Sequence, residues 1–409
     1  MQASDSSAAG VNVRDFGAVG DGITDDAAAI QRAIDDTTGG IFFPHGDYLL
    51  KKGLRVSLGE RGRTYVSSGG ARLLNASTEP ALHIIGTHEG TAEPKTVTEH
   101  TFAYETMPLV SGIEIIGQGD CGDGIVLEQT YKPVISSVMI RDCRNGIRLA
   151  VRNRDVIIGQ CHIIHNRQVG ILYDNVSLHQ SNIIGCHSSY NGYAGIKVDN
   201  GDVRNIQITG NDIEYNNRDE TAPVCADVWF DASAGTGTGI REGAICSNTI
   251  QATPTAGGAN IRLSGLNNDQ GDQIGLLSIS GNHISSQEYN ILADYARAIA
   301  IGANTFVKGA TRNICLRNCR SVNVCGNVID AIPVYGKGGA GCGGIELREA
   351  LGCLVANTTI AGASPKDNTA VIALEDCRNC RVNDCILGAG QAVSVNGGHA
   401  NSVGEIVRA

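Results

Sequence analysis

The sequence predicts an all-β chain built as a parallel β-helix, a solenoid with three strands per coil, and three observations predict it. The first is a repeat: Asn166, Asn191 and Asn216 fall at one interval of 25 residues. Cys161, Cys186 and Asn211 keep that interval, as do His162, His187 and Asp212. A fixed period in the twenties, filled with short β-rich runs, means stacked coils. The second is that each copy closes on an alternating run ending in a carboxylate: GILYD (170–174), GIKVD (195–199) and DVWFD (227–231). The third is composition. With 53 Gly and 9 Pro the chain suits many tight turns, and 4% aromatics with abundant Val and Ile suit a narrow interior of stacked β-branched side chains.

At 409 residues an ordinary chain would hold two or three domains. A solenoid instead lengthens one core by adding coils, so residues 51–409 are expected to form one continuous domain behind an N-terminal segment, 1–50. The net charge of −10 argues against nucleic acid or an anionic membrane as a general partner, since either wants a basic face. No apolar run is long enough to span a bilayer. The opening MQASDSSAAG lacks the charged-then-apolar pattern of a secretory leader, which leaves the compartment open. The fourteen cysteines lack the paired spacing of a zinc site. Cys161 and Cys186 stand where Asn211 stands one coil later, so they are expected to be stacked turn residues, buried as free thiols.

In the N-terminal segment, Asp25 or Thr24 can cap a helix whose stripe is Ala28, Ile30, Ala33 and Ile34, with acidic residues in its first turn. Such a helix covers the open end of a coil stack, whose unpaired edges invite aggregation. The segment carries an NVRDFGAVGDGITDD run at 12–26 and a GGIFFPHGDY run at 39–48. Together they resemble the N-terminal signature of the pectate-lyase-like superfamily of right-handed β-helices. The resemblance implies a right-handed coil with a capping helix over about 40 residues of signature, with periodicity carrying the rest. For function it implies only a circle of carbohydrate-active relatives: polysaccharide lyases, glycoside hydrolases, fructan transferases, uronate epimerases and phage tailspikes. It also implies a homotrimer with sites shared between subunits, and secretion. The Asn-Thr-Asp, Asp-Asp and Gly-His-Gly set of polygalacturonases is absent, as is the Asp-Pro-His run of alginate epimerases, which disfavours both assignments.

From 54 to 109 the coils are irregular, with a polar excursion at 87–108. Beyond them an Asn turn recurs at Asn211, Asn248, Asn282, Asn304, Asn327 and Asn357. Asn tolerates the left-handed backbone, and its amide can bond the same amide one rung away, so this ladder is structural.

Phasing the strand that ends each repeat gives a column that runs Glu128, Ala150, Asp174, Asp199, Asp231, Ser264 and Asp294, then on through Arg317, Arg348, Glu375 and Asn396. Two residues earlier the column includes Arg148, Lys197, Trp229 and Arg262. Both positions alternate with apolar residues and are expected to point outward on one sheet face. With rungs roughly 4.8 Å apart, Asp174, Asp199 and Asp231 would form a line of carboxylates whose mutual repulsion calls for a use or a counter-ion.

Three uses remain open. Asp199 and Asp231, supported by Asp174 or Glu214, divide acid and nucleophile or base roles at a glycosidic bond, with an exposed Trp229 stacking on a sugar and Lys197, Arg262 and Arg148 positioning it. Alternatively the carboxylates hold Ca²⁺ while Arg262 or Lys197 removes a proton from a uronate, as in β-helical lyases; otherwise no cofactor is expected. Or the carboxylates only cap turns, and the chain is a glycan-binding or tailspike-like module. Long Gly-rich loops at 217–226, 232–243 and 266–273 flank the rungs of Asp231 and Arg262, although a similar insertion recurs at 332–344. His162, His187 and Asp212 are expected to be a solvated stack, and GDCGDG (119–124) a turn.

Overall fold

The computed structural model describes residues 10–59, 64–90, 93–219, 221–268, 272–332, 342–365 and 370–409. Most of the 332–344 insertion, part of the 266–273 loop and the first nine residues lie outside that set. The chain forms two compact units, Met1–Asn191 and Gly192–Ala409.

In the first unit, helix α1 spans Ala27–Asp36 and buries Ala27, Ala29, Ile30, Ala33 and Ile34. Ala28 faces solvent instead. The N-cap is Asp26, and no acidic residue lies in the first turn. The Asp26 carboxylate accepts from the Val19 and Gly20 amides at 2.7 and 3.0 Å, so it pins the GAVGDG loop rather than the helix end. Asp25 accepts from Ala27 N at 3.2 Å and Lys51 N at 3.1 Å, fastening the helix to the coil it covers. Further along, Ile125–Tyr131, Ile147–Gly159 and Val169–Ile184 pair in parallel, with Ile125, Ile147 and Ile171 in one register and Leu127, Leu149 and Tyr173 in the next.

The second unit is a stack of three-stranded coils. Its first series of strands runs Ala194–Asp199, Ala226–Asp231, Ala259–Ser264, Tyr289–Asp294 and onward to Val393–Asn396, all in parallel register. Inside, Ile196, Val228, Ile261, Ile291 and Ile314 stack rung on rung, each fully buried. Burying one such side chain is worth about 1.5–3 kcal/mol, so a repeat that places one apolar residue per rung drives the stacking by itself. Fold class is therefore as the repeat predicts: a parallel β-helix.

Asn211, Asn248, Asn282, Asn304 and Asn327 form the expected ladder, each amide donating to the next Oδ1 at 2.9–3.0 Å. The left-handed residue, however, is the one before each Asn, such as Gly210, Ser247 or Ala303. Asn357 occupies that left-handed position (φ 46°), and buried Thr358 takes the ladder column instead. All fourteen cysteines are free thiols and twelve are buried. Cys186 Sγ accepts from Cys161 N at 3.5 Å, the same contact an Asn makes in the ladder.

Candidate functional site on the lateral sheet

The phased column is the observed register. Asp199 pairs with Asp231, Asp231 with Ser264, Ser264 with Asp294 and Asp294 with Arg317. Two residues earlier, Lys197 pairs with Trp229 and Trp229 with Arg262. Both columns point away from the apolar stack, as alternation requires.

What lies outside is a packed layer, not an open ribbon. Lys197 keeps 8% of its surface and Arg262 keeps 9%. Lys197 Nζ lies 2.9 Å from Asp199 Oδ2 and 3.9 Å from Asp231 Oδ2, so one ammonium lies between the two carboxylates and offsets their repulsion. Asp231 is the more enclosed of the two, its side chain 14% exposed against 39% for Asp199. Its Oδ1 accepts from Ser233 N at 3.1 Å and Ser233 Oγ at 2.6 Å. Asp199 Oδ1 accepts from Asn200 Nδ2 at 2.9 Å.

Trp229 is half-buried, and its ring is not the open platform the sequence suggests. Lys197 Nζ stands 4.4 Å and Arg262 Cζ 5.6 Å from the indole. These cations come from the rungs on either side, so the indole is flanked by charge from its own chain. The indole N–H donates to Ser264 Oγ at 3.3 Å. Arg262 donates to the Gly257 carbonyl, and burial pushes its pKa down while Asp294 opposes the shift. Both cations thus shape the face from within, which corrects their placement as exposed sugar contacts.

Asp174 and Arg148 lie in the first unit. Arg148 donates to Asp174 Oδ2 at 3.1 Å and to Asp123 Oδ2 at 2.7 Å. Asp123, in the stretch that sequence reasoning set aside as a turn, is buried and also takes two bonds at 2.8 Å from Arg144. Burial alone would raise its pKa; the Arg144 and Arg148 guanidiniums overcome that and hold it below the ordinary carboxylate range. The signal was an acidic residue one coil before two arginines: the register that pairs Ile125 with Ile147 brings Asp123 beside Asn145, between Arg144 and Arg148.

Glu214 belongs to the short strand Asp212–Glu214, on a different sheet from Asp199 and Asp231. Its Oε1 accepts from Gln251 Nε2 at 2.5 Å. Burial, then the neighbouring Asp212, pushes its pKa up to about 7. The structure therefore does not bring it to the carboxylate pair. His162 and His187 stack with ring centres 4.9 Å apart. Among the described residues, no group of three His, Cys, Asp or Glu side chains is arranged to hold a metal ion.

These features define a right-handed parallel β-helix. Residues 10–61 match the family described as "Rhamnogalacturonase A/epimerase, pectate lyase-like", and residues 95–219 match the "right handed beta helix region". A 47-residue stretch is 51% identical to plasmin and fibronectin-binding protein A of Streptococcus pneumoniae, covering 10% of this chain and 6% of that protein. Among solved structures, the A-module of the Azotobacter vinelandii mannuronan C-5 epimerase AlgE6 superposes with a TM-score of 0.58 at 15% identity, over 97% of this chain and 99% of that one. Tailspike protein 3 of bacteriophage CBA120 superposes with a TM-score of 0.66 at 12% identity, over 96% of this chain and 61% of that one. At such identities the likeness is one of fold.

Proposed function

We propose that the chain binds a poly- or oligosaccharide along the lateral sheet of its second unit and cleaves or transfers a glycosidic bond there with Asp199 and Asp231. The observation that carries this reading is a pair of carboxylates on adjacent rungs, sharing one ammonium, beside the single tryptophan of the chain. Adjacent-rung spacing of about 4.8 Å is close to the 5–5.5 Å separation of retaining glycosidases. Asp231, fixed by Ser233 and Lys197, suits the nucleophile, whose attack needs a set orientation. Asp199, the more exposed, suits the acid–base group that exchanges protons with water. The epimerase and tailspike among the solved structures of like fold fit a glycan as the substrate class.

The test is a panel of polysaccharides with products read by mass. Asp199→Asn and Asp231→Asn are each expected to lower turnover by about 10²–10⁴-fold. Undiminished turnover in the double variant would remove the assignment. In the Ca²⁺-assisted lyase alternative the metal would take the place between the carboxylates that Lys197 holds. A chelator is accordingly expected to leave turnover unchanged, and an unsaturated, ultraviolet-absorbing product lost on chelation would favour the lyase. A glycan left intact by a wild type that binds it would favour the non-catalytic module.

A further inference from the structure

A second polar ladder runs up the corner where the lateral strands begin, and it contains one residue of the wrong kind. Asn216 donates its backbone N–H and its Nδ2 to Asp227 Oδ1 at 3.2 and 2.9 Å. On the next rungs the column continues as Asn260, Asn290 and Asn313, which the parallel register places one above another. Asp227 is 2% exposed and the three Asn are fully buried. In the other Asn ladder every amide donates in one direction, up the stack. Asn290 follows that rule, giving Nδ2 to Asn313 Oδ1 at 2.6 Å. Asn260 breaks it: its Nδ2 turns back to Asp227 Oδ2 at 2.9 Å, since a carboxylate has nothing to donate. The reversal leaves Asn260 Oδ1 and Asn290 Oδ1, on adjacent rungs, buried and without a hydrogen-bond partner.

A buried acceptor left without a donor has given up its bonds to water with nothing in return. One proton satisfies both. If Asp227 Oδ2 carries a hydrogen, it donates to Asn260 Oδ1 once that amide turns over. Asn260 Nδ2 then donates to Asn290 Oδ1, and the ladder runs one way from end to end. Amide oxygen and nitrogen are assigned from such networks, so the turned amide is the same side-chain shape with its ends exchanged.

We propose that Asp227 is a protonated carboxylic acid in the folded protein, and that losing this proton reverses the ladder at Asn260 and loosens the corner from which the strands of Asp231 and Arg262 start. Burial supports this, pushing the Asp227 pKa up to about 7 against the bonds from Asn216 and Asn260. Three ionisable groups face it, and Glu214 acts in the same sense as burial. Glu214, itself raised to about 7, adds negative charge from the neighbouring strand beside Asp212. Cys225, on the loop before, is pushed up to about 11 by burial and then by Asp227. Arg262, two residues past Asn260, offers a counter-charge but is turned to Gly257 and Trp229.

The sign follows from linkage. A folded pKa of about 7 above the ordinary 3.8 means the native state holds the proton longer, so stability falls as pH rises from 3.8 and levels off above about 7. Asp227→Asn supplies the missing donor permanently. The wild type is expected to lose stability relative to this variant across that interval and no further above it. In infrared spectra at pH 5.5, taken in an E214Q background that removes the other carboxyl raised to about 7, the protein is expected to show a protonated-carboxyl band that the added D227N change abolishes. The pH-dependent difference is expected to persist in a Glu214→Gln background. A difference flat in pH, no such band, or a difference that vanishes with E214Q would each overturn the proposal. That band, present in E214Q, decides the matter even should D227N fail to fold, and none of these readouts depends on whether the lateral sheet processes a glycan.

Discussion

Lys197 decides how the lateral carboxylates are to be understood. Its ammonium lies within 3.9 Å of both Asp199 and Asp231 and is itself nearly enclosed, so the three groups behave as one unit. Replacing it by Met keeps the packing against Trp229 but leaves two carboxylates facing each other. Lys197→Met is expected to destabilise the protein by about 1–3 kcal/mol in denaturant unfolding. Asp199 is partly exposed, so solvent screens part of that effect. A cycle with Asp231→Asn is expected to show coupling of about 0.5–3 kcal/mol, since removing one carboxylate relieves the repulsion that Lys197 offsets. Additive effects would show that the three side chains do not act together. Sequence reasoning found these residues through alternation but placed Lys197 and Arg262 at the surface. Alternation tells which side of a strand a residue takes; it does not tell what covers that side.

At the scale of the turn and strand, the Asn ladder separates residues that look alike in the sequence. Asn327 has its amide bonded to Ile301 O at 3.0 Å and its Oδ1 receiving from Asn304 N and Nδ2 at 3.1 and 3.0 Å. Asn327→Ala is expected to cost about 2–4 kcal/mol, a missing partner for several buried groups. Asn357 stands one position out of the column with a left-handed backbone, so Asn357→Gly is expected to be neutral within about 0.5 kcal/mol. Equal losses from the two variants in thermal or denaturant unfolding would contradict the register that places Thr358, not Asn357, in the ladder. The spacing of Asn residues was legible to within one residue. That residue matters, because left-handed and ladder positions are neighbours and Asn suits both.

For the molecule as a whole, the coil was legible because Asn166, Asn191 and Asn216 recur at one interval of 25 residues, and a period needs no knowledge of loops. The site was legible only as a column. Asp123 was missed because its meaning depends on Arg144 and Arg148 arriving from the next coil, and Glu214 was misplaced because a neighbouring strand can belong to another sheet. Arg148 and Lys197 are paired with carboxylates of their own chain, and Arg262 is turned inward, so none is left to hold an acidic sugar. The chain also carries a net charge of −10, whose field reaches about 30 Å at 0.01 M salt but only about 8 Å at 0.15 M. A polyanionic glycan is thus repelled before it meets the lateral sheet, and the repulsion fades as salt rises. Neutral polysaccharides are expected to be the better substrates, with kcat/KM insensitive to salt, while any turnover of a polyuronate rises as salt is added. A polyuronate whose kcat/KM instead falls steeply with added salt would reveal an attractive cationic path to the site, and with it a substrate class that the paired arginines and lysine do not lead one to expect.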